Sequence, residues 1–412
     1  MILHSDCNCF YASVEMCENP ALRGKKVAVC GSTENRHGIV LTASYPAKRC
    51  GVRTGMANWQ ALECCPDLLC VPPRYELYLQ YSRYVRSIYR QYTDLIEPYG
   101  MDENWLGFPG KEDVEKEGPA LARELRRRVR EEIGITISVG ISFNKVFAKL
   151  GSDMKKPDGQ TLITKENFRE KVWPLPADDL FWVGRATMRK LELRNVRTIG
   201  DVAAVPPERL QQWFGVNGLM LWRFANGLDN APVAREGLEP QILSVGHGIT
   251  CVTDLYTNAE VWRVLYELAQ DVGHRLREGR FAAQAVQISL RDCEMGWRQY
   301  QTPVDWPTRS PLELARAGYR LFCRRYDWRL PVRALTIRGI RPIPESTPMQ
   351  TDFWNACEEH NRIRRLDDAV DEVRRRFGYR AIRAASLMGD LRMAKDRCEI
   401  VPLPGFMYQQ TK

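Results

Sequence analysis

The order of strand-like and helix-like segments in the N-terminal part of the chain restricts its fold most strongly. A short apolar strand, Ile2 to Cys7, is followed by helical character at Ala12 to Glu15. Further along, a helical pattern covers Tyr75 to Tyr92, and a basic amphipathic helix at Ala120 to Glu132 precedes a β-branched strand, Ile135 to Ser142. The order β-α-β-β-α-β is that of a split βαβ sheet, which predicts an α/β (α+β) fold class.

Two further segments extend this pattern. Strand signals at Lys26 to Cys30 and Gly38 to Ser44, with a helix-like patch at Tyr45 to Cys50, predict a small α/β subdomain. The segment Pro174 to Pro206 reads as small helices joined by turns, among them Val183 to Arg185. Turns of this kind often bind phosphates.

Length and composition indicate a multidomain globular protein. The 412 residues suffice for roughly three domains. Apolar residues at 44% and charged residues at 27% argue against disorder and against a coiled coil. The sequence has no apolar run of membrane-spanning length and no signal peptide, and its 13 cysteines do not form a secreted disulfide framework. We therefore expect a cytoplasmic protein without a membrane partner.

A second domain is predicted after a linker rich in Gly, Pro and charge near residues 230–240. From Ile242 onward strands such as Ala285 to Arg291 alternate with helices such as Val261 to Arg277, and arginines are dense. The net charge of +9 suits a polyanionic partner, although any single arginine could simply lie on a solvated face. Near the C-terminus an amphipathic helix is predicted, with one apolar stripe of five residues: Ile363, Leu366, Val370, Val373 and Phe377.

Three carboxylates lie where predicted strands end: Asp6, and the adjacent pair Asp102 and Glu103. Neighbouring side chains of a strand point to opposite faces. Either the chain turns at this pair, or only one of the two is a primary ligand. Hard oxygen ligands at strand ends suit Mg²⁺, and two such ions can bracket a phosphoryl displacement, whereas unrelated surface carboxylates are the alternative.

Cationic residues near predicted element ends could bind a polyphosphate. Tyr45, Lys48 and Arg49 follow a strand in the segment YPAKRCG, and Lys156 follows a helix in the segment KKPDG. Lys156 could equally be an exposed loop lysine. Together with the carboxylates, these residues favour triphosphate chemistry.

These segments resemble the motifs of one known family, the Y-family translesion DNA polymerases, and most closely its DNA polymerase IV branch. HSDCNCFYASVE is similar to the first metal motif, GIVLTASYPAKRCGVRTGM to the fingers motif, and PYGMDENWLGF to the second acidic motif. ITISVGISFNKVFAKLGSDMKKPDGQ, TIGDVA and SVGHGIT extend the resemblance over about residues 1–344. The resemblance implies template-directed, low-fidelity translesion synthesis by two-metal nucleotidyl transfer from deoxynucleotides to a primer 3′-hydroxyl.

The resemblance also implies roles for individual residues. Asp6, Asp102 and Glu103 would be the catalytic carboxylates and, with the carbonyl of Cys7, would bind two Mg²⁺ ions. Tyr11 would be the steric gate that excludes a 2′-hydroxyl. The implied nucleotide contacts are Phe10, Tyr11, Tyr45, Lys48 and Lys156. The implied contacts to the DNA backbone, drawn from the arginine-rich region, are Arg291, Arg298, Arg333 and Arg338.

The domain organisation implied by the resemblance is that of a right-hand polymerase with an extra domain. Its parts are a palm at 1–18 and 73–165, fingers at 19–72, a helical thumb at 166–235, a little finger at 242–344 and a C-terminal tail at 345–412.

The tail contains Gln350, Phe353 and Trp354, similar to the short peptide by which bacterial polymerases bind the sliding clamp. The alternative is a loop that packs two aromatic rings. The expected partners are primer-template DNA, deoxynucleotides and the clamp, and we expect a monomer.

Some residues depart from the family pattern. Lys48 stands where many relatives have Arg, Gly100 replaces a Ser, and Asn104 and Gly107 replace a small apolar residue and an Asp. Phe181 and Trp182 stand where the thumb hairpin usually has Pro-Gly. Two other functions therefore stay open at this stage: a non-catalytic Y-family-like protein that bridges primer-template and clamp, and a nucleotide cyclase.

Overall fold

The structure is a computed structural model of the whole chain. The residues that it describes are 1–31, 38–111, 114–237, 241–348, 356–391 and 393. They divide into two compact units: the described residues up to 237 form the first, and those from 241 onward form the second. No helix within these ranges is both long and apolar enough to cross a membrane.

The described residues of the first unit form eight strands. They are β1 (Ile2–Cys7), β2 (Val27–Cys30), β3 (Val40–Ala43), β4 (Leu69–Val71), β5 (Ile96–Tyr99), β6 (Glu103–Gly107), β7 (Ile137–Ser142) and β8 (Gln160–Ile163). Five of them form a sheet in the order β5-β6-β1-β7-β8, and the other three form a small sheet in the order β3-β2-β4. The central strand β1 pairs antiparallel with both β6 and β7. The C-terminal end of β1 is therefore flanked by a paired strand on each side.

The helices of the first unit surround these sheets. They are α1 (Phe10–Glu18), α2 (Tyr45–Arg49), α3 (Asn58–Cys64), α4 (Tyr75–Tyr89), α5 (Val114–Arg128), α6 (Lys145–Met154), α7 (Phe168–Val172), α8 (Arg185–Glu192), α9 (Ile199–Ala204), α10 (Pro207–Phe214) and α11 (Val216–Ala225). The main core packs α1, α4 and α5 against the large sheet, and α7 to α11 share a separate core.

Helix α6 lies unusually close to β7. A Cβ atom on Gly140 of β7 would lie 1.8 Å from the carbonyl oxygen of Ala148. Only glycine permits this approach without moving the helix backbone. The close packing fixes α6, which bears Lys149 and Asp153, relative to the strand that pairs with β1.

The second unit is a four-stranded antiparallel sheet with two helices on one face. Its elements are β9 (Ser244–Leu255), α12 (Asn258–Glu278), β10 (Phe281–Asp292), β11 (Trp297–Thr308), α13 (Pro311–Arg325), β12 (Val332–Pro344) and α14 (Ala356–Phe377). The sheet order is β11-β10-β12-β9. Both α12 and α13 contribute to the core on one face of the sheet. In the described residues no helix contributes a core to the other face.

The C-terminal helix α14 docks through polar contacts together with part of the apolar stripe that the sequence predicts. The carboxylate of Asp371 accepts hydrogen bonds from Arg277 at 2.5 and 2.9 Å, and the His360 ring lies 2.9 Å from Glu313. Leu366 and Phe377 of the predicted stripe are 60% and 74% exposed. Ile363, Val370 and Val373 of the stripe are half-buried. Helix α14 therefore docks through charged contacts to α12 and α13 and through part of its apolar stripe.

Element boundaries differ slightly from the sequence expectations. The strand predicted from Ile135 begins at Ile137, and the helix predicted to Tyr92 ends at Tyr89. The helix predicted from Ala120 begins earlier, at Val114, with Pro119 in its N-terminal part. Local pattern alone does not settle where terminal hydrogen bonds stop.

Candidate active site

The site is built where the ends of β1 and β6 pair. Asp6 lies directly opposite Glu103 in the antiparallel register. Residues that face each other across two strands project from the same face of the sheet. The backbone N–H of Cys7 donates to the carbonyl oxygen of Asp102 at 3.1 Å. The two strands thus bring together carboxylates that are almost one hundred residues apart in the sequence.

The chain turns immediately before β6, which is the first of the two possibilities that the sequence left open for Asp102 and Glu103. Gly100 adopts a left-handed φ of +78°, and the strand begins only at Glu103. Asp102 therefore belongs to the turn and is not bound by the alternation of the strand. Both members of the pair can face the end of β1.

Burial and the closeness of like charges raise the pKa values of two of the three carboxylates, Asp102 and Asp6. Desolvation by the surrounding protein, followed by the negative charges of Asp6 and Glu103, raises the pKa of Asp102 to about 8. Burial also raises the pKa of Asp6, against the effect of the Lys156 ammonium 2.7 Å from its Oδ2. Like charges held this close disfavour ionisation unless a cation joins them.

The negative charge of Glu103 is already neutralised by neighbouring groups of the protein. Burial alone would raise its pKa, but the neighbouring His4 and the Lys149 ammonium outweigh that effect and bring the pKa to about 2. Lys149 forms an ion pair with the Glu103 carboxylate, and the His4 Nε2 lies 3.3 Å from the same oxygen. Glu103 therefore faces an ammonium group in this structure.

The donor set fits a divalent cation, although the side chains are not in a ligating arrangement. Within the described ranges, no group of three or more His, Cys, Asp or Glu side chains is positioned to hold a metal ion. Two of the three carboxylates are paired with Lys156 and Lys149 instead. Burial raises the pKa of Asp102 most, and the nearby negative charges of Asp6 and Glu103 raise it further. Carboxylate oxygens with excess negative charge suit Mg²⁺.

Aromatic residues of α1 and α4 lie beside the carboxylates. The ring of Tyr11 stacks on Tyr78, with centroids 4.4 Å apart and an interplanar angle of 15°. The Tyr11 hydroxyl donates to the sulfur of Met101 at 3.7 Å, directly before Asp102 in sequence. Phe10 is 3% exposed and belongs to the core, so only its backbone could contact a ligand.

Three of the predicted phosphate contacts come from helix α2 and from the turn after α6. Tyr45 and Lys48 lie on α2, and the Lys48 ammonium is 4.9 Å from the centre of the Tyr45 ring. The Tyr45 hydroxyl is buried, and no described group meets hydrogen-bond geometry with it, although the Asn8 amide lies beside it. Lys156 follows α6 and reaches Asp6. The structure therefore gathers Tyr45 and Lys156 near Asp6, with Lys48 more exposed.

Sequence reasoning missed several residues of this site. His4 is fully buried, and its Nδ1 lies 2.8 Å from the Ser152 hydroxyl. Lys149 and Asn8 also contact predicted site residues. The available signal was spacing: His4 is two residues before Asp6 on the same strand face, and Asn8 is two residues after it. Lys149 has no local signal, since only the packing of α6 brings it to Glu103.

The four predicted DNA-binding arginines do not share one face of the second unit. Arg291 and Arg338 are exposed on the helix-free face, where Arg291 is 5.6 Å from the Trp297 ring. Arg298 is paired in register with the core residue Leu290, so it points to the helix side, 3.7 Å from Asp327. Arg333 lies in the irregularity of β12 between its register partners.

The remaining sequence predictions have different outcomes. Gln350, Phe353 and Trp354 lie outside the described residues. Asn104 is 2% exposed, and its Oδ1 has no hydrogen-bond partner among the described groups. Trp182 is 53% exposed with a left-handed φ of +74°. These departures surround the carboxylates and the small helices but replace none of the three acidic residues.

Solved structures share this fold. A chimeric Y-family DNA polymerase, 22% identical, matches 83% of this chain and 99% of its own with a TM-score of 0.73. An insertion ternary complex of the Dbh DNA polymerase, also 22% identical, matches 83% of this chain and 99% of its own with a TM-score of 0.55. The fold is therefore that of a multidomain right-hand polymerase, which agrees with the predicted α/β class.

Sequence comparisons define the family within that class. The impB/mucB/samB family matches residues 5–153, its C-terminal domain matches residues 243–352, and the DNA polymerase-iota thumb domain matches residues 178–229. DNA polymerase IV of Acetivibrio thermocellus is 43% identical over 95% of this chain and 98% of the relative. DNA polymerase IV of Moorella thermoacetica is 38% identical over 94% and 96%.

The chain belongs to the Y family of DNA polymerases, in its DinB-like branch. It is a DNA-directed DNA polymerase of translesion synthesis, as the sequence resemblance implied. The alternative of a non-catalytic bridging protein is not favoured. Polymerases of this family use divalent metal ions.

Proposed function

We propose that Asp6, Asp102, Glu103 and the carbonyl of Cys7 bind two Mg²⁺ ions for nucleotidyl transfer. The observation that carries this proposal is the direct pairing of Asp6 with Glu103, beside the turn that bears Asp102. When bound, the ions would lower the charge on the phosphates and favour attack by the primer hydroxyl. Lys156 and Lys149, which now neutralise two of the carboxylates, would then pair elsewhere.

The triphosphate would be held by cations and backbone donors around the same cleft. Lys156 is already within reach of Asp6, and Tyr45 has a buried hydroxyl available for a phosphate oxygen. Lys48 and the amides of Phe10 and Tyr11 would add further donors. A single ammonium at Lys48 cannot form the two parallel hydrogen bonds of a guanidinium, so it contacts one phosphate oxygen at a time.

The proposed reaction is attack of the primer 3′-hydroxyl on the α-phosphate of the nucleotide, with release of pyrophosphate. The residues of the chain act by holding both reactants in line and by compensating charge, since no side chain needs to form a bond. Tyr11 would lie against the sugar and exclude a 2′-hydroxyl. Its stacking on Tyr78 keeps the ring in one orientation.

The second unit would contact the DNA duplex through the helix-free face of its sheet. Arg291 and Arg338 supply charge on that face without a described carboxylate partner in an ion pair. Phosphate contacts of this kind set position without reading sequence. Arg298 and Arg333 were also predicted to bind DNA, but the pairing of Arg298 with Asp327 argues for a structural role.

Three further parts of the proposal rest on sequence. Gln350, Phe353 and Trp354 would bind the sliding clamp through a glutamine and two aromatic anchors. The polymerase would act as a monomer in the cytoplasm, in keeping with free thiols at the described cysteines. The five-domain division predicted from the sequence, with boundaries at 18, 72, 165, 235 and 344, remains our proposal for the domain organisation.

Primer extension tests the catalytic assignment. A primed template is incubated with deoxynucleotides and Mg²⁺, on undamaged and abasic templates, with the intact protein and an Asp102→Ala, Glu103→Ala double variant. Extension by the intact protein and its loss in the variant, with primer-template binding retained, is the expected result. Equal extension by both proteins would contradict the assignment of the carboxylates.

A further inference from the structure

Asn8 is enclosed at the end of β1, where both the nitrogen and the oxygen of its amide group form hydrogen bonds. It is 1% exposed, and its Nδ2 donates to the Ser138 hydroxyl at 2.9 Å. Its Oδ1 accepts from the hydroxyl of Thr136 at 3.0 Å and from the backbone N–H of Asp158 at 2.7 Å. A buried amide with this many partners holds three segments in one arrangement.

One of those segments is the turn of residues 155–159, which bears Lys156. Asn8 binds the turn directly at Asp158, two residues after Lys156. Through Ser138 it also approaches the other side, since the Ser138 hydroxyl lies 3.4 Å from the Lys155 carbonyl oxygen and accepts from the Gly159 N–H at 3.4 Å. Asn8 therefore contacts the turn directly after Lys156, and its partner Ser138 contacts the turn on both sides of Lys156.

The turn has little freedom to move in other ways. Asp158 has a left-handed φ of +52°, and Arg126 donates to its carboxylate at 2.9 Å. A Cβ on Gly159 would lie 1.9 Å from the carbonyl oxygen of Lys155, so the backbone is closed on itself. With the turn held, the Lys156 ammonium reaches Asp6 at 2.7 Å.

We propose that Asn8 is a positioning residue for nucleotide binding, which holds the turn of residues 155–159 so that the Lys156 ammonium points into the cleft. This inference rests on the proposed contact of Lys156 with the triphosphate. Asn8 touches no substrate itself. Without its amide, the turn would lose the hydrogen bond at the Asp158 N–H, and Ser138, which contacts Lys155 and Gly159, would lose the donor that orients its hydroxyl. The ammonium would then sample positions away from the phosphates.

A double-mutant cycle tests whether Asn8 acts through Lys156. Single-nucleotide insertion is measured for the full chain, Asn8→Ala, Lys156→Ala and the double variant, as kcat and KM for the deoxynucleotide on an undamaged primer-template. We expect Asn8→Ala to raise KM by about tenfold and to change kcat by less than about twofold. In the Lys156→Ala background we expect the same change to alter KM by less than about twofold.

Two variants separate positioning from loss of stability. Asn8→Asp keeps the acceptor for Thr136 and for the Asp158 N–H, so the direct hydrogen bond to the turn is retained although the donor to Ser138 is lost. We expect KM within about threefold of the unchanged protein. Asn144→Ala removes another buried amide, which accepts from the Phe147 N–H at 2.8 Å at the opposite end of α6. It should lower the melting temperature without changing KM.

The outcomes separate the positioning role from its alternatives. Additive effects of Asn8→Ala and Lys156→Ala on KM, or an unchanged KM in Asn8→Ala, would overturn the positioning role while leaving the role of Lys156 intact. A Lys156→Ala variant with unchanged KM would contradict the proposed triphosphate contact and the inference with it. A raised KM in Asn144→Ala equal to that in Asn8→Ala would show that general destabilisation is the cause, which also overturns the inference.

Discussion

Tyr11 lies flat against Tyr78, with the two ring centroids 4.4 Å apart and the planes inclined by 15°. The Tyr78 hydroxyl in turn donates to the buried Glu15 at 2.6 Å, and Glu15 forms an ion pair with Arg74. The ring proposed to exclude ribonucleotides is thus supported from behind by a hydrogen-bonded aromatic residue. Offset stacking of this kind contributes about 0.5–1.5 kcal/mol beyond burial.

Replacing Tyr11 should weaken sugar discrimination. We expect Tyr11→Ala to lower the ratio of deoxynucleotide to ribonucleotide insertion efficiency by about 10- to 100-fold, because the space under the 2′ position opens. Tyr11→Phe keeps the ring and its stacking on Tyr78, and should retain the ratio. The measurement is kcat/KM for matched nucleotide pairs. An unchanged ratio in Tyr11→Ala would remove Tyr11 from the gate.

Removal of divalent metal should abolish activity without unfolding the protein. Lys156 and Lys149 already form ion pairs with Asp6 and Glu103, so the carboxylates retain compensating charge when no metal is bound. We expect a chelator to stop primer extension and to change the melting temperature by no more than about 2 °C. A large fall in melting temperature, measured by calorimetry, would show instead that the metal supports the fold.

The arginines of the second unit should differ in their contribution to DNA binding. We expect Arg291→Ala and Arg338→Ala each to reduce the slope of log Kd against log salt concentration by about one, as loss of a phosphate contact does. Arg298→Ala is the matched control, since Arg298 lies near Asp327 on the helix side. An equal reduction in all three variants would contradict the assignment of the helix-free face.

Docking of α14 should weaken as the solution becomes alkaline. Asp371 raises the pKa of His274 through a hydrogen bond. The pairing therefore stabilises the fold fully below the pKa of an unfolded histidine, about 6.5, and this stabilisation is lost as pH rises through the higher pKa of the folded state. The pKa of Asp371 is lowered despite burial, by His274 and Arg277, so its contribution would be lost only in acid.

Thermal unfolding between about pH 6.5 and 9 tests this pairing, because the range begins at the ordinary pKa of histidine. Asp367, with a pKa raised by burial to about 6, is already largely ionised in that range and contributes little to the change. Asp102, with a pKa raised to about 8, titrates within the range and lowers stability with rising pH in both proteins. We expect the melting temperature of the unchanged protein to fall with rising pH, and His274→Gln to remove part of that dependence. A pH profile identical in both proteins would exclude His274 as its source.

Much of the first unit could be predicted from the chain alone, because its strands and helices follow local apolar periodicity. Asp6 was expected at a strand end and lies directly before Cys7, the last residue of β1. The contact between Lys156 and Asp6, by contrast, spans 150 positions and has no local signature. It exists because α6 packs against β7 so closely that Gly140 is required.

In the second unit too, the sequence predicted a strand, but only the tertiary structure decided which face of the sheet each arginine lies on. The sequence pattern predicted a strand from Ala285 to Arg291, but it did not indicate which side of the sheet α12 and α13 would cover, or where Arg298 would lie. The register that pairs Arg298 with the core residue Leu290 decided that Arg298 points towards the helices. A shift of one residue would have reversed every face.

The sequence by itself determined the family, the order of elements and the identity of the acidic and basic residues, because these depend on local pattern and on motif spacing. The tertiary structure alone decided that the chain turns before Glu103, that Lys149 pairs with this carboxylate, and that Asn8 binds the turn after α6. These contacts join residues far apart in the sequence, and only the packing of helices on the sheet brings their atoms within hydrogen-bond distance.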